Sequence, residues 1–262
     1  MNNTKVFLKD ESVFNKIIKA SELKKDDIIL EIGSGDGRLT KRIATLVKKV
    51  YAIEIDTNLY DSARTLVEND NIEFINADAL SIEFPENANK IISNLPYAIS
   101  SPITEKIIYF LNKKRDGFAV LMYQLEFGNR MLAFPGIRDY SMISVFAQYT
   151  CDVKHISNVS KNSFRPKPAV ESIILKLIPK KIEIDKNFLR FTRLLFQHKK
   201  KNLYSAIMDS RSMLNLSKED IRNKLEPYSK KDLLKKKVFY LEIEELENIY
   251  KDMLVLGVCK KK

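Results

Sequence analysis

The chain has 262 residues, 45% of them apolar and 30% charged, with a formal net charge of +11. That length supports one full hydrophobic core and a smaller second one, and no apolar run nears the ~20 residues of a membrane span. Charges run through "MNNTKVFLKDESVFNK", so no secretory signal is expected there. Cys151, Cys259, His155 and His198 are the only cysteines and histidines. So few and so scattered, they argue against a disulfide framework, a metal centre and a Ser-His-Asp triad. A reducing, cytoplasmic compartment is expected, with no membrane partner. The charge is uneven: residues 179–262 carry 21 Lys and Arg against 12 Asp and Glu, and the remainder 24 against 22. A positive field concentrated in the last third suits a polyanion, nucleic acid before membrane.

In chain order, "IILEI" (28–32) reads as a short buried strand, followed by "GSGDG" and a helical pattern in "RLTKRIATLVKK". "VYAIEI" (50–55) is a second strand, followed by the helix "NLYDSARTLVEN"; "IEFIN" (72–76) and "KIISN" (90–94) are the third and fourth strands. A helix is expected over 101–111, a fifth strand over 117–124 and a helix over 125–134. Strands alternating with helices predict an α/β, Rossmann-like parallel sheet with helices on both faces. Two further β-rich segments are expected at 143–151 and 170–178, the second with the mixed pattern of a strand near an edge. Beyond "IPKK" (178–181) only helical patterns remain, over 186–197, 202–209, 218–226 and 242–254. The expected division is a sheet domain over 1–180 and a small all-α, basic domain over 181–262.

"EIGSGDGRLT" (31–40) puts Gly33, Gly35 and Gly37 between the first strand and the first helix. Glycines there permit a tight turn and close approach of backbone to a ligand at a helix N-terminus. The G-x-G-x-G spacing is not that of the dinucleotide fingerprint, and the Lys-Ser/Thr ending of a P-loop is missing. A nucleoside-like ligand fits better than a dinucleotide or triphosphate. Glu54 ends the second strand, 21 residues after Gly33, where an acid can accept both ribose hydroxyls. "NADAL" places Asp78 after the third strand, in position to read an adenine amino group. An adenosine-containing ligand without phosphates points to S-adenosyl-L-methionine.

"NLPYAIS" (94–100) follows the fourth strand. A plain strand-to-helix turn would explain these residue types but not their company. Beside a methyl donor they fit an adenine N6 as acceptor, whose lone pair is delocalised into the ring. The Asn94 side-chain oxygen and the Leu95 carbonyl can hold the two N6 hydrogens, and Pro96 fixes φ and aims that carbonyl. Tyr97 offers a face for the base. No general base or metal is needed.

The segments "FLKD" (7–10), "EIGSGDGRLT", "YAIEID", "NADAL", "NLPYAISSPI" and "SFRPKPAVESIILKLIP" (163–179) stand in the order seen in ribosomal RNA adenine-N6 dimethyltransferases, which the chain resembles over 5–179. "FQHKKKNL" (196–203) extends the resemblance into the basic region, and the small-subunit branch is the nearer one. The resemblance implies a class I methyltransferase in which Val6, Leu8, Gly33, Gly35, Glu54, Ile55, Asp78 and Ala79 line the S-adenosyl-L-methionine site, with Asn94 shared. Asn94, Leu95, Pro96 and Tyr97 would hold the target adenine, and Phe164 would close on its other face. The implied product is N6,N6-dimethyladenosine at two adjacent adenines near the 3′ end of small-subunit rRNA, made by a monomer acting on an assembling subunit. Two departures stand out: Lys5-Val6 replaces the usual Gln-Asn or Gln-His, and "YSMIS" (140–144) replaces "YGRLS".

Lys199, Lys200 and Lys201, with a second cluster at Lys235 to Lys237, are expected to contact RNA phosphates, which supply affinity and position rather than sequence readout. Two rivals remain open: a resistance methyltransferase of large-subunit rRNA, and a non-catalytic RNA-binding or transcription factor on the same fold.

Overall fold

Apolar runs bounded by glycine, asparagine and acid turns become strands almost where alternation puts them. The structure, a computed structural model, describes residues 6–114, 116–228 and 232–259. In chain order it runs β1 (Phe7–Leu8), α1 (Glu11–Ser21), β2 (Ile28–Ile32), α2 (Arg38–Ala44), β3 (Lys49–Glu54), α3 (Thr57–Leu66), β4 (Ile72–Asn76), β5 (Lys90–Asn94), α4 (Ser100–Asn112), β6 (Phe118–Gln124) and α5 (Leu125–Leu132). Then come α6 (Met142–Thr150), β7 (Cys151–Val159), β8 (Phe164–Arg165), β9 (Ser172–Pro179), α7 (Lys186–Phe196), α8 (Leu203–Asp209), α9 (Arg211–Leu214), α10 (Lys218–Leu225) and α11 (Ile243–Val255). The chain gathers into two compact units, Met1–Gly128 with Thr150–Ile182, and Asn129–Tyr149 with Glu183–Lys262. Composition alone suggests a single cut near 180; the structure adds Asn129–Tyr149 to the helical unit.

In the first unit seven strands lie in the order β4-β3-β2-β5-β6-β9-β7. The first five are mutually parallel, while β9 runs antiparallel between β6 and β7. From β2 the chain steps out through β3 to β4, then returns to place β5 on the other side of β2. Such a reversal opens a crevice at the carboxyl ends of the strands, where sheets of this kind bind ligands. α1 and α2 cover one face through Phe14, Ile17, Leu39 and Ile43, packed with Ile29, Val50, Ile92 and Val120 of the sheet. The alternate residues Leu30, Ile91 and Leu121 are equally buried. Both faces are therefore covered, as a parallel sheet requires. A separate two-stranded ladder pairs β1 with β8, setting Leu8 opposite Phe164.

The run 143–151, expected to be β-rich, is a helix. α6 buries Ser144, Val145, Phe146, Ala147 and Thr150, and a short apolar segment covered on most sides does not reveal its period. Its start is marked by the Ser141 N–H, which donates to the Ser144 hydroxyl at 2.9 Å, half of a capping box. The strand begins only at Cys151.

In the second unit Tyr140 is fully buried, its hydroxyl donating to the Leu241 carbonyl at 3.1 Å and its ring edge-on to Phe196. "YSMIS" thus supplies a core anchor. Phe188, Phe191 and Tyr250 pack ring against ring in the same unit. Among the described residues no helix is long and apolar enough to cross a membrane.

Candidate active site

The loop after β2 rises over the switch point on three left-handed glycines, Gly33 (φ 73°), Gly35 (φ 56°) and Gly37 (φ 75°). Gly33 N–H and Ser34 N–H both donate to the Ile53 carbonyl, at 2.8 and 3.1 Å, which fastens the loop to the end of β3. A Cβ on Gly33 would stand 3.2 Å from the Pro96 ring, and one on Gly35 3.6 Å from the Phe7 ring. Any side chain at 33 would push the two loops apart, apart from its strain at positive φ.

Glu54 is buried at the end of β3. One carboxylate oxygen accepts the Gly35 N–H and the other the Asp56 N–H, both at 2.9 Å. A carboxylate oxygen has two lone pairs, so each retains capacity for a ligand hydroxyl. The next residue, Ile55, leaves 66% of its surface in solvent. After β4, the Asp78 carboxylate accepts Leu80 N–H at 2.9 Å and the Ser81 hydroxyl at 3.2 Å, while the Asp78 carbonyl accepts the N–H groups of Ser81 and Ile82. Ala79 is buried beside it.

Asn94 ends β5, and its side-chain amide makes no hydrogen bond to another described residue. Leu95 is buried, its N–H donating to the Met122 carbonyl at 3.2 Å. Pro96 holds φ −59° and ψ 125° before a 3-10 turn over Tyr97–Ile99 leads into α4. The Tyr97 hydroxyl is hydrogen-bonded to the Ser172 hydroxyl on β9 at 2.8 Å, so the ring is held at both ends. Ser93 ties β5 to β2 by donating its hydroxyl to the Ile32 carbonyl.

The N-terminal residues reach this site through the β1–β8 ladder, reinforced by Lys9 N–H on the Ser163 carbonyl (2.9 Å) and the Ser163 hydroxyl on Asp10 (2.8 Å). Leu8 points into the core, so alternation turns Phe7 toward the glycine loop. Val6 packs partly buried against the same cluster, and Lys5 lies outside the described residues. Phe164, expected over the target base, is only 2% exposed and packs in the cluster that holds Leu8, Phe14 and Val159. In this conformation its ring is a core surface rather than an open platform.

The three adjacent lysines are not equivalent. Lys199 donates to the carbonyls of Arg138 and Tyr140 at 2.9 and 2.8 Å, and burial holds its ammonium below the usual lysine value. Lys201 pairs with Asp209 at 2.6 Å. Lys200 is exposed. Asn202 forms a bridge with Lys237, and Leu203 N–H donates to Lys236 O, so the second lysine cluster runs alongside the first.

The sheet order, the glycine loop and the acid at the end of β3 define a class I methyltransferase. A family model described as "Ribosomal RNA adenine dimethylase" matches residues 2–248. A relative from Methanococcus vannielii, named "Probable ribosomal RNA small subunit methyltransferase A", is 40% identical over 265 residues, covering 98% of this chain and 96% of the relative. The crystal structure of a dimethyladenosine transferase from Plasmodium falciparum superposes with a TM-score of 0.81 at 29% identity, over 96% of this chain and 98% of that one. The 23S rRNA methyltransferase ErmE shares the fold, with a TM-score of 0.66 at 24% identity over 94% of this chain and 98% of its own. The chain belongs to the ribosomal RNA adenine dimethylase family. It is a methyltransferase, with S-adenosyl-L-methionine as methyl donor.

Glu31, in the strand beneath the glycine loop, escaped notice in the sequence because its neighbours Leu30 and Ile32 make it look like one polar break in a strand. It is 2% exposed, and Oε2 has no hydrogen-bond partner. Burial pushes its carboxyl from the ordinary 4.5 up to about 8, with the charges of Asp36 and Glu54 adding to the shift. The unfolded chain releases this proton near 4.5, whereas the folded chain keeps it to about 8. Folding thus retains a proton in that window, and stability falls as pH rises through it, levelling off above. Replacing Glu31 with Gln should raise the melting temperature relative to wild type progressively between pH 5 and about 8. A difference that stays constant across those thermal melts would show that Glu31 does not hold its proton.

Proposed function

We propose that this protein transfers methyl groups from S-adenosyl-L-methionine to N6 of two adjacent adenines near the 3′ end of small-subunit rRNA, giving N6,N6-dimethyladenosine in an assembling subunit. The observation that carries the reading is the seat of the Asn94–Tyr97 turn directly on the glycine loop, with the Pro96 ring 3.2 Å from where a Gly33 Cβ would stand. Methyl transfer needs donor and acceptor sites that abut, because reacting atoms must meet at roughly 3–3.5 Å. These two loops meet that demand.

The residues present fit the donor. Gly33 and Gly35 open the cradle, and the spare lone pairs of Glu54 suit two ribose hydroxyls. The exposed Ile55 offers an apolar face to a planar base, and Asp78 with Ala79 supplies the polar edge. Phe7 bounds the opposite end from β1, whereas Val6 and Leu8, expected there, pack against the core. When bound, S-adenosyl-L-methionine supplies an electrophilic methyl group on a sulfonium.

On the acceptor side, Asn94 contributes the one polar side chain of the turn not already engaged by its neighbours. Its oxygen and the Leu95 carbonyl take the N6 hydrogens and turn the nitrogen lone pair toward the donor. Tyr97, fixed by Ser172, presents a face to the base, a contact worth roughly 1–3 kcal/mol. Phe164 joins it only if its ring leaves the core. Positioning and fixed dipoles carry the rate enhancement.

The helical unit serves as the RNA-binding part, with the Lys199–Lys201 and Lys235–Lys237 segments lying side by side. Lys200 contacts phosphate, whereas Lys199 braces the 138–140 segment. The enzyme acts as a cytoplasmic monomer. The small-subunit substrate follows from the names of relatives at about 40% identity, above the more distant ErmE. An intact glycine loop and an intact Asn94–Tyr97 turn favour an enzyme over a non-catalytic factor.

At saturating donor, Asn94→Ala should bind the subunit like wild type yet lose methylation by two orders of magnitude or more, about the loss seen for single oxyanion-type contacts. Normal turnover would refute the acceptor role. Lys200→Ala should reduce the slope of log affinity against log salt by about 1 without changing the melting temperature. Lys199→Met should instead lower the melting temperature, because two carbonyls lose their donor. An unchanged salt slope for Lys200→Ala would place the RNA footprint elsewhere.

A further inference from the structure

Lys106 lies on α4, the helix that begins just after the Asn94–Tyr97 turn, nine residues past Tyr97. Its ammonium reaches across to the loop that follows β4. There it donates to the carbonyls of Ala79 (2.9 Å), Leu80 (3.2 Å) and Ile82. An ammonium has three donors and no acceptor, so the loop takes its whole hydrogen-bonding capacity. The Phe84 ring covers it, with its centroid 4.5 Å from Nζ, and Phe110, one turn further along α4, packs edge-on against Phe84 at 5.4 Å. Three carbonyls converging on one point repel one another unless a cation sits between them. The conformation of this loop therefore depends on Lys106.

The same loop carries Asp78, whose carboxylate and carbonyl organise the N–H groups of Leu80, Ser81 and Ile82. Its other end is tied to the ribose-side acid: the Ala77 N–H and the Asn76 side chain both donate to the Glu54 carbonyl, at 3.1 and 2.9 Å. The loop thus bridges two strand ends, and Lys106 connects it to the helix of the target-base turn.

We propose that Lys106 is a positioning residue for the adenine of the methyl donor, holding the Asp78–Ile82 loop in its reading conformation from α4. This rests on the assignment of Asp78 and Ala79 to the donor's adenine. A lysine that merely braces the fold would change melting but not ligand affinity.

The test compares wild type, Lys106→Met, Lys106→Arg and Asp78→Ala by calorimetric binding of S-adenosylhomocysteine and of 5′-methylthioadenosine, which lacks the amino-acid end. Lys106→Met should weaken both ligands by the same factor, about tenfold or more, the loss expected when charged hydrogen bonds to the loop disappear. Lys106→Arg should recover most of the affinity. At saturating donor the turnover number of Lys106→Met should stay within about twofold of wild type while KM for the donor rises. A folded Lys106→Met protein that binds both ligands like wild type overturns the proposal, as does one that weakens S-adenosylhomocysteine alone. If Lys106→Met does not fold, Lys106→Gln is read by the same two affinities. Wild-type protein that binds neither ligand would overturn the donor-site reading itself. Wild-type binding that Asp78→Ala leaves unchanged would instead overturn only the placement of the adenine, and the role of Lys106 with it.

Discussion

The missing side chain at Gly33 is the constraint on which the site depends. With φ at 73° and the Pro96 ring 3.2 Å from where a Cβ would stand, the loop after β2 and the turn after β5 occupy adjoining space. β2 and β5 are hydrogen-bonded neighbours because the chain reverses direction across the sheet at that point. The topology brings the two strand ends together, and the glycine lets the loops touch. On the function proposed above, a methyl donor held by one loop and an adenine held by the other would face each other.

Around this contact the structure adds fastenings from distant parts of the chain. β1 pairs with β8 across more than 150 residues of sequence, carrying Phe7 to the glycine loop and Leu8 to the core. Ser172 on β9 holds the Tyr97 hydroxyl, and Lys106 on α4 holds the loop after β4. Each fastening ties a loop at a strand end to a separate element of the fold. Such cross-ties suit a reaction that depends on placement rather than on an acid–base residue.

What could be read beforehand divides along physical lines. Gly33, Gly35, Glu54 and Asn94 announce themselves because a left-handed loop, a buried strand-end acid and an amide before proline are each uncommon in a plain strand–turn–helix unit. The strands Ile28–Ile32, Ile72–Asn76 and Lys90–Asn94 lie where alternation and turn residues place them. α6 did not, because an apolar stretch buried on most sides shows neither period. Phe164 was expected as an open ring, and nothing in "SFRPKP" reveals that its strand pairs with Leu8 and turns the ring inward. Lys106 and Lys199 look like any surface lysine in sequence. Only the folded chain shows that their ammonium groups are committed to backbone carbonyls. The basic character of the last third was legible as a whole, but which lysine stays available to a phosphate was not.

The most direct test of the account is methyl transfer from S-adenosyl-L-methionine to unmethylated small and large ribosomal subunits, followed by nucleoside mass spectrometry of each RNA. The account predicts N6,N6-dimethyladenosine in small-subunit RNA and none in large-subunit RNA. Product confined to the large subunit, or no product from protein that binds the small subunit tightly, would contradict it.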